Sequence, residues 1–181
     1  MSALETSVQD LLPAMIKGEN VVLDASARGA LAAWSLKTIL MSAAAYSSQA
    51  IVPPGDFTDF YEQRRPTRHM VARLGMAAPP EHGPVALMAE FLCPAFAMPG
   101  GHAYIATLRV GYLVMQVLRV GPLDEGRVLV PFPANTSTVP LWPVPEDAGS
   151  WPPPQPIPMQ DWEGFTHPDN LEAASMPTAG Q

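Results

Sequence analysis

The chain has 181 residues, 22 of them proline, 48% hydrophobic content and a formal net charge of −7. That length suits one domain with an appendage, and the apolar fraction is enough for a real core. A single cysteine, Cys93, excludes an intrachain disulfide and a cysteine-based zinc site.

Residues 3–17 read as an amphipathic helix, with Leu4, Val8, Leu11, Leu12 and Met15 at helical spacing and Gly18 as its stop. Pro13 should kink or split it. Asp24 has the chemistry of an N-cap for a long helix over residues 25–47. The predicted buried face runs through Ala27, Leu31, Trp34, Thr38, Met41 and Ala45, widened by Ala30, Ala33, Leu40 and Ala44, which puts Trp34 at its centre. Lys37 within the apolar stretch 29–52 argues for a buried soluble helix rather than a membrane span. A short third helix follows Pro53-Pro54, anchored by Phe57, Phe60 and Tyr61, and ends before Pro66.

From residue 68 the period changes to two. Met70, Ala72, Leu74 and Met76 share one face of a strand, with His69, Val71 and Arg73 on the other. Further strands are expected at 84–92, 103–109, 112–119 and 128–132, with Val110-Gly111 in hairpin position. The predicted class is α+β: three N-terminal helices packed on an antiparallel sheet of about four to five strands, in a domain over 1–139.

Residues 140–181 form an acidic tail rich in Pro and Trp. Ten of the prolines and six of the 17 acidic residues lie there, with none of the 10 basic ones, so the body carries a net of only −1. Whole-chain acidity therefore does not exclude a nucleic-acid partner. Proline rules out a central strand or helix in the tail and favours an extended strap, which Trp142, Trp151, Trp162 and Phe165 would pin to the domain. Trp151, Pro153 and Pro156 make up a PxxP-type candidate for partner binding, with a purely structural strap as the plainer alternative.

The densest positive group is Arg64, Arg65, Arg68 and Arg73, with His69. It is a candidate for binding nucleic acid or another anion, set against a cluster that pairs with Asp56, Asp59 and Glu62. No catalytic set is expected. His69, His82, His102 and His167 have no metal-ligand spacing, and the glycines match no phosphate loop. Cys93 reads as an inert core thiol, Glu90 as a carboxylate facing solvent or pairing with an arginine of a neighbouring strand, and Ser26, Ser35 and Ser42 lack a nucleophile elbow. No metal and no cofactor are implied. With no apparent signal peptide, a cytoplasmic setting is expected.

Several phrases together resemble a family of HNH-endonuclease-like proteins of actinobacteria and their phages. They are Ser2-Ala3-Leu4-Glu5, Pro13 with Gly18, Ala33-Trp34 with Lys37-Thr38, Arg64-Arg65-Pro66, and Ala106-Thr107-Leu108-Arg109-Val110-Gly111. The likeness spans about residues 1–133. In that family a cysteine-bearing HNH cassette precedes a domain of this kind, and Met1 falls where the cassette would end. The resemblance implies a non-catalytic accessory domain, separately encoded or truncated at its start, that contacts nucleic acid or a partner protein. An alternative from another class is a stand-alone, phage-encoded protein-interaction module working through its sheet face and Pro-rich tail.

Overall fold

The architecture follows from one long Ala-rich helix laid across an antiparallel sheet. The structure, a computed structural model, describes residues 3–45, 52–78, 88–92, 104–119, 127–131, 138–158 and 171–175. In chain order the elements are α1 (Ala3–Val8), α2 (Leu12–Ile16), β1 (Val21–Leu23), α3 (Ala25–Ala45), α4 (Pro54–Gln63), β2 (Met70–Met76), β3 (Met88–Leu92), β4 (Tyr104–Val110), β5 (Leu113–Arg119), β6 (Arg127–Pro131), β7 (Val139–Trp142), β8 (Gly149–Trp151) and β9 (Leu171–Ser175). The class is α+β. The first predicted helix is divided in two, with Pro13 in the first turn of α2, where its missing N–H costs nothing.

Gly18 ends α2 with φ +76° and donates to Met15 O (3.0 Å). Asp24 caps α3: its Oδ1 accepts from the Ala27 N–H at 2.7 Å. The buried face of α3 is rotated from the predicted one. Arg28, Ala32, Ser35, Leu36, Ile39 and Ala43 are buried alongside Leu31, Ala33 and Leu40 of the predicted face, whereas Trp34 is half-buried and Met41 is 61% exposed. Small residues surround this helix, so it lacks a clear polar face to fix the register. Its half-buried Lys37 is paired with Glu5 of α1 at 2.6 Å.

The central sheet has the order β3-β4-β5-β2-β7, and its named pairs are antiparallel. Met70, Ala72, Leu74, Tyr104, Ala106, Leu108, Met115 and Val117 join α3 in the main core. Gly111, at φ +59°, opens the β4–β5 turn, and Tyr112 N–H donates to Ile16 O (3.1 Å), docking that turn on the end of α2.

The second face of the sheet is buried too. Ile105, Thr107, Arg109, Val114, Gln116 and Leu118 are all 3% exposed or less, where an antiparallel sheet commonly leaves one side wet. Ile157 packs there against Ala77 and Val114, tied by its N–H to Met76 O (2.6 Å) and by its carbonyl to Ala78 N–H (2.9 Å).

The Pro-rich tail thus enters the fold. β7 straddles the 139/140 boundary suggested by composition and pairs with β2 at the sheet edge, where Pro140 deprives no interior ladder of a donor. β8 pairs with β1, and β9 with β6, in two further antiparallel ladders. His82, Cys93, His102, Trp162, Phe165 and His167 lie outside the described residues.

Candidate functional site

The corner between α4 and β2 carries most of the arginines singled out by sequence. Pro54 supplies the first turn of α4 with its fixed φ. The helix stops at Arg64, which takes the left-handed conformation (φ 55°) and donates its N–H to Phe60 O at 2.9 Å. Its guanidinium lies over the Tyr61 ring, 4.7 Å from the centroid. Pro66 is buried, while Arg64, Arg65, Arg68 and His69 are exposed. Arg68 Nε donates to His69 Nε2 (3.2 Å).

Arg65, Arg68 and His69 border a hollow of ≈ 450 Å³ shared with Asp59 and Gln63 of α4 and with Trp142 of β7. Trp142 is half-buried, and its indole Nε1–H donates to Thr67 O at 3.1 Å, which joins the end of β7 to the loop. Asp59 and Gln63 are four residues apart and so share one helix face. Arg64 instead borders a separate, largely apolar groove of ≈ 550 Å³ between α3 and α4, with Lys37, Leu40, Met41, Phe57 and Tyr61.

Arg73 does not belong to this surface. It is 6% exposed on the second face of the central sheet, opposite Gln116, and burial pushes its guanidinium down to about 9 from 12.5. It remains charged at neutral pH. Strand alternation placed it correctly on the face away from the helices, but that face is covered rather than wet. Gln116 Nε2 donates to Thr107 Oγ1 (3.1 Å), and Glu90 holds the register position opposite Thr107, so Arg73, Gln116, Thr107 and Glu90 align across four strands.

Of the three expected partners of the cluster, Asp56 is turned inward. Its Oδ1 accepts from Arg119 Nε at 2.8 Å, with Tyr104 alongside, and Asp56 is 2% exposed. Burial raises its carboxyl above the ordinary 3.8 despite the Arg119 charge, and burial with the adjacent carboxylate raises the Tyr104 phenol well above 10.0. This group ties the start of α4 to paired ends of β4 and β5.

The proposed PxxP surface is divided. Trp151 is 1% exposed and packs in the main core, Pro153 is buried, and Pro156 is exposed. This conformation holds the tryptophan and the first proline against the chain's own domain, in keeping with a strap. Among the described residues, no group of three or more His, Cys, Asp or Glu side chains is placed to hold a metal ion. No described helix is long and apolar enough to cross a membrane.

Comparison with known proteins gives no match: no family, no curated protein and no solved structure is significantly similar to the chain. Sequence reasoning named Asp59 as a neighbour of the arginine cluster but missed Trp142 and Gln63 beside Arg65 and Arg68. The i, i+4 spacing of Asp59 and Gln63 was a usable signal, whereas the arrival of Trp142 depends on the pairing of β7 with β2.

Proposed function

We propose that this chain is a non-catalytic binding domain that contacts nucleic acid through the α4–β2 corner. Its place beside an HNH-type endonuclease, and its cytoplasmic setting, rest on the sequence reading. One observation carries the binding surface. Arg64, Arg65 and Arg68 are exposed, and the described ion pairs, Lys17–Glu19, Arg28–Asp147, Lys37–Glu5 and Arg119–Asp56, include none of them. With Asp56 committed to Arg119, three cations in five residues face solvent, as phosphate contact requires.

Fluorescence anisotropy with a labelled oligonucleotide, across a salt series, tests this reading. Three phosphate contacts give a slope of log K against log salt of roughly −2 to −3. Changing Arg64, Arg65 and Arg68 to alanine should remove most of that slope. Absence of binding at low salt, or a slope indifferent to the triple substitution, rejects the reading. The alternative, an interaction module acting through the sheet face and the tail, is disfavoured by the burial of Trp151, Pro153 and both faces of β4 and β5.

A further inference from the structure

We infer that the hollow between α4, the 65–69 loop and the end of β7 receives one unpaired nucleotide of a single strand, its phosphate on Arg65 and Arg68 and its base against Trp142. This deepens the nucleic-acid reading and rests on it. A surface that only gripped duplex phosphates would need cations alone, since the bases of a duplex stay stacked and paired. This hollow adds three groups that phosphate does not call for: an aromatic ring, an amide and a carboxylate.

Trp142 is a stacking platform held in place. Its Nε1–H is occupied by Thr67 O, and it is half-buried at the side of the hollow. A ring so fixed loses little freedom when a base lies against it. The volume of ≈ 450 Å³ suits one nucleotide and is far too small for a double helix. Exposed Arg65 and Arg68 border the same hollow, so cation and ring serve one ligand.

Asp59 supplies discrimination. A carboxylate in a phosphate site repels its ligand, and none of the described ion pairs neutralises Asp59. As an acceptor for a base amino group it has a use: cytosine offers N4–H₂, whereas thymine presents only O4 at that position. Gln63, one turn away, offers both a donor and an acceptor to the base edge. The assignment therefore predicts cytosine over thymine.

The test uses the purified full chain and three labelled probes: a ten-residue oligo-dC, a ten-residue oligo-dT and a 20-base-pair duplex. Oligo-dC should bind tightest, by about tenfold or more over the duplex, and also ahead of oligo-dT. Trp142→Leu should lower oligo-dC affinity about tenfold with the salt slope unchanged. Because Trp142 also holds Thr67, Asp59→Asn provides a second variant that leaves the loop anchor intact. It should shrink the preference for oligo-dC over oligo-dT, because the amide still accepts from cytosine N4–H₂ but can now also donate to thymine O4. Cytidine monophosphate should compete far less well than oligo-dC; equal competition overturns the strand assignment in favour of a free nucleotide. Duplex binding equal to oligo-dC binding, or folded Trp142→Leu and Asp59→Asn proteins that bind like wild type, overturns the nucleotide hollow while the arginine surface stands. Failure to bind any of the three probes overturns both.

Discussion

Arg28 fills the space that a side chain at Gly149 would need. A Cβ at residue 149 would collide with the Arg28 guanidinium, reaching 2.8 Å from Cζ. Arg28 is 2% exposed, and Asp147, two residues before Gly149, pairs with its Nη1 at 3.6 Å. The long helix and the Pro-rich strap are thus joined where a missing side chain makes room for a buried cation.

Gly149→Ala should therefore destabilise the fold by about 1 kcal/mol, at the low end of overpacking costs because a guanidinium can swing aside. In an Arg28→Ala background the same change should cost nothing, since the space is free. Urea denaturation of the four proteins of this cycle measures the coupling. Purely additive effects would place Arg28 away from residue 149.

Trp151→Ala should be among the most destabilising single changes, at about 3–5 kcal/mol. The ring is 1% exposed and belongs to the main core through β8 and its pairing with β1. Trp34→Ala should cost less, because Trp34 is only half-buried. Thermal melts of the two variants compare them directly. A larger loss at Trp34 would restore the helix register expected from sequence.

That contrast shows what the sequence carried and what it did not. Asp24 as a cap, Gly18 as a stop, the split at Pro13 and the β4–β5 hairpin were legible because each is decided within a few residues. The facing of α3 was not, because alanines and serines around the helix give it little amphipathic contrast. Nor was the burial of Arg73, since strand alternation gives a side but not what covers that side. Arg64, Arg65 and Arg68 were legible as a basic group, but Trp142 reaches them only because β7 pairs with β2, which sets it against Thr67, 75 residues earlier in the chain. Pro and acidic content marked the tail as separate, although its strands belong to the fold.

Asp56 gives the protein a defined acid response. Its carboxyl is raised above 3.8, so between 3.8 and its folded value the native state binds more protons than the unfolded chain. Stability from this group is then fully present below 3.8 and declines as pH rises through the folded value. Asp56→Asn lacks the titration. The stability difference, wild type minus variant, should shrink as pH rises from about 4 toward neutrality. A difference that grows over this range would mean that the Arg119 ion pair outweighs burial.

Arg64 separates binding from folding more cleanly than its neighbours. It occupies a left-handed position at the end of α4, with φ 55°, where glycine carries no Cβ penalty. Its guanidinium over Tyr61 contributes about 0.5–1 kcal/mol at an exposed site. Arg64→Gly loses that contact and gains a relaxed backbone, so its stability should lie within about 0.5 kcal/mol of wild type. Arg64→Ala loses the contact without the relief and should be less stable than Arg64→Gly by about 0.5–1 kcal/mol. Both remove one cation from the proposed surface, so both should reduce the salt slope of nucleic-acid binding by about 1. Neither should alter the preference for oligo-dC over oligo-dT, because Arg64 borders the groove with Met41 and Tyr61 and not the Trp142 hollow. A lost base preference in a folded Arg64→Gly protein would show that the two surfaces act as one site.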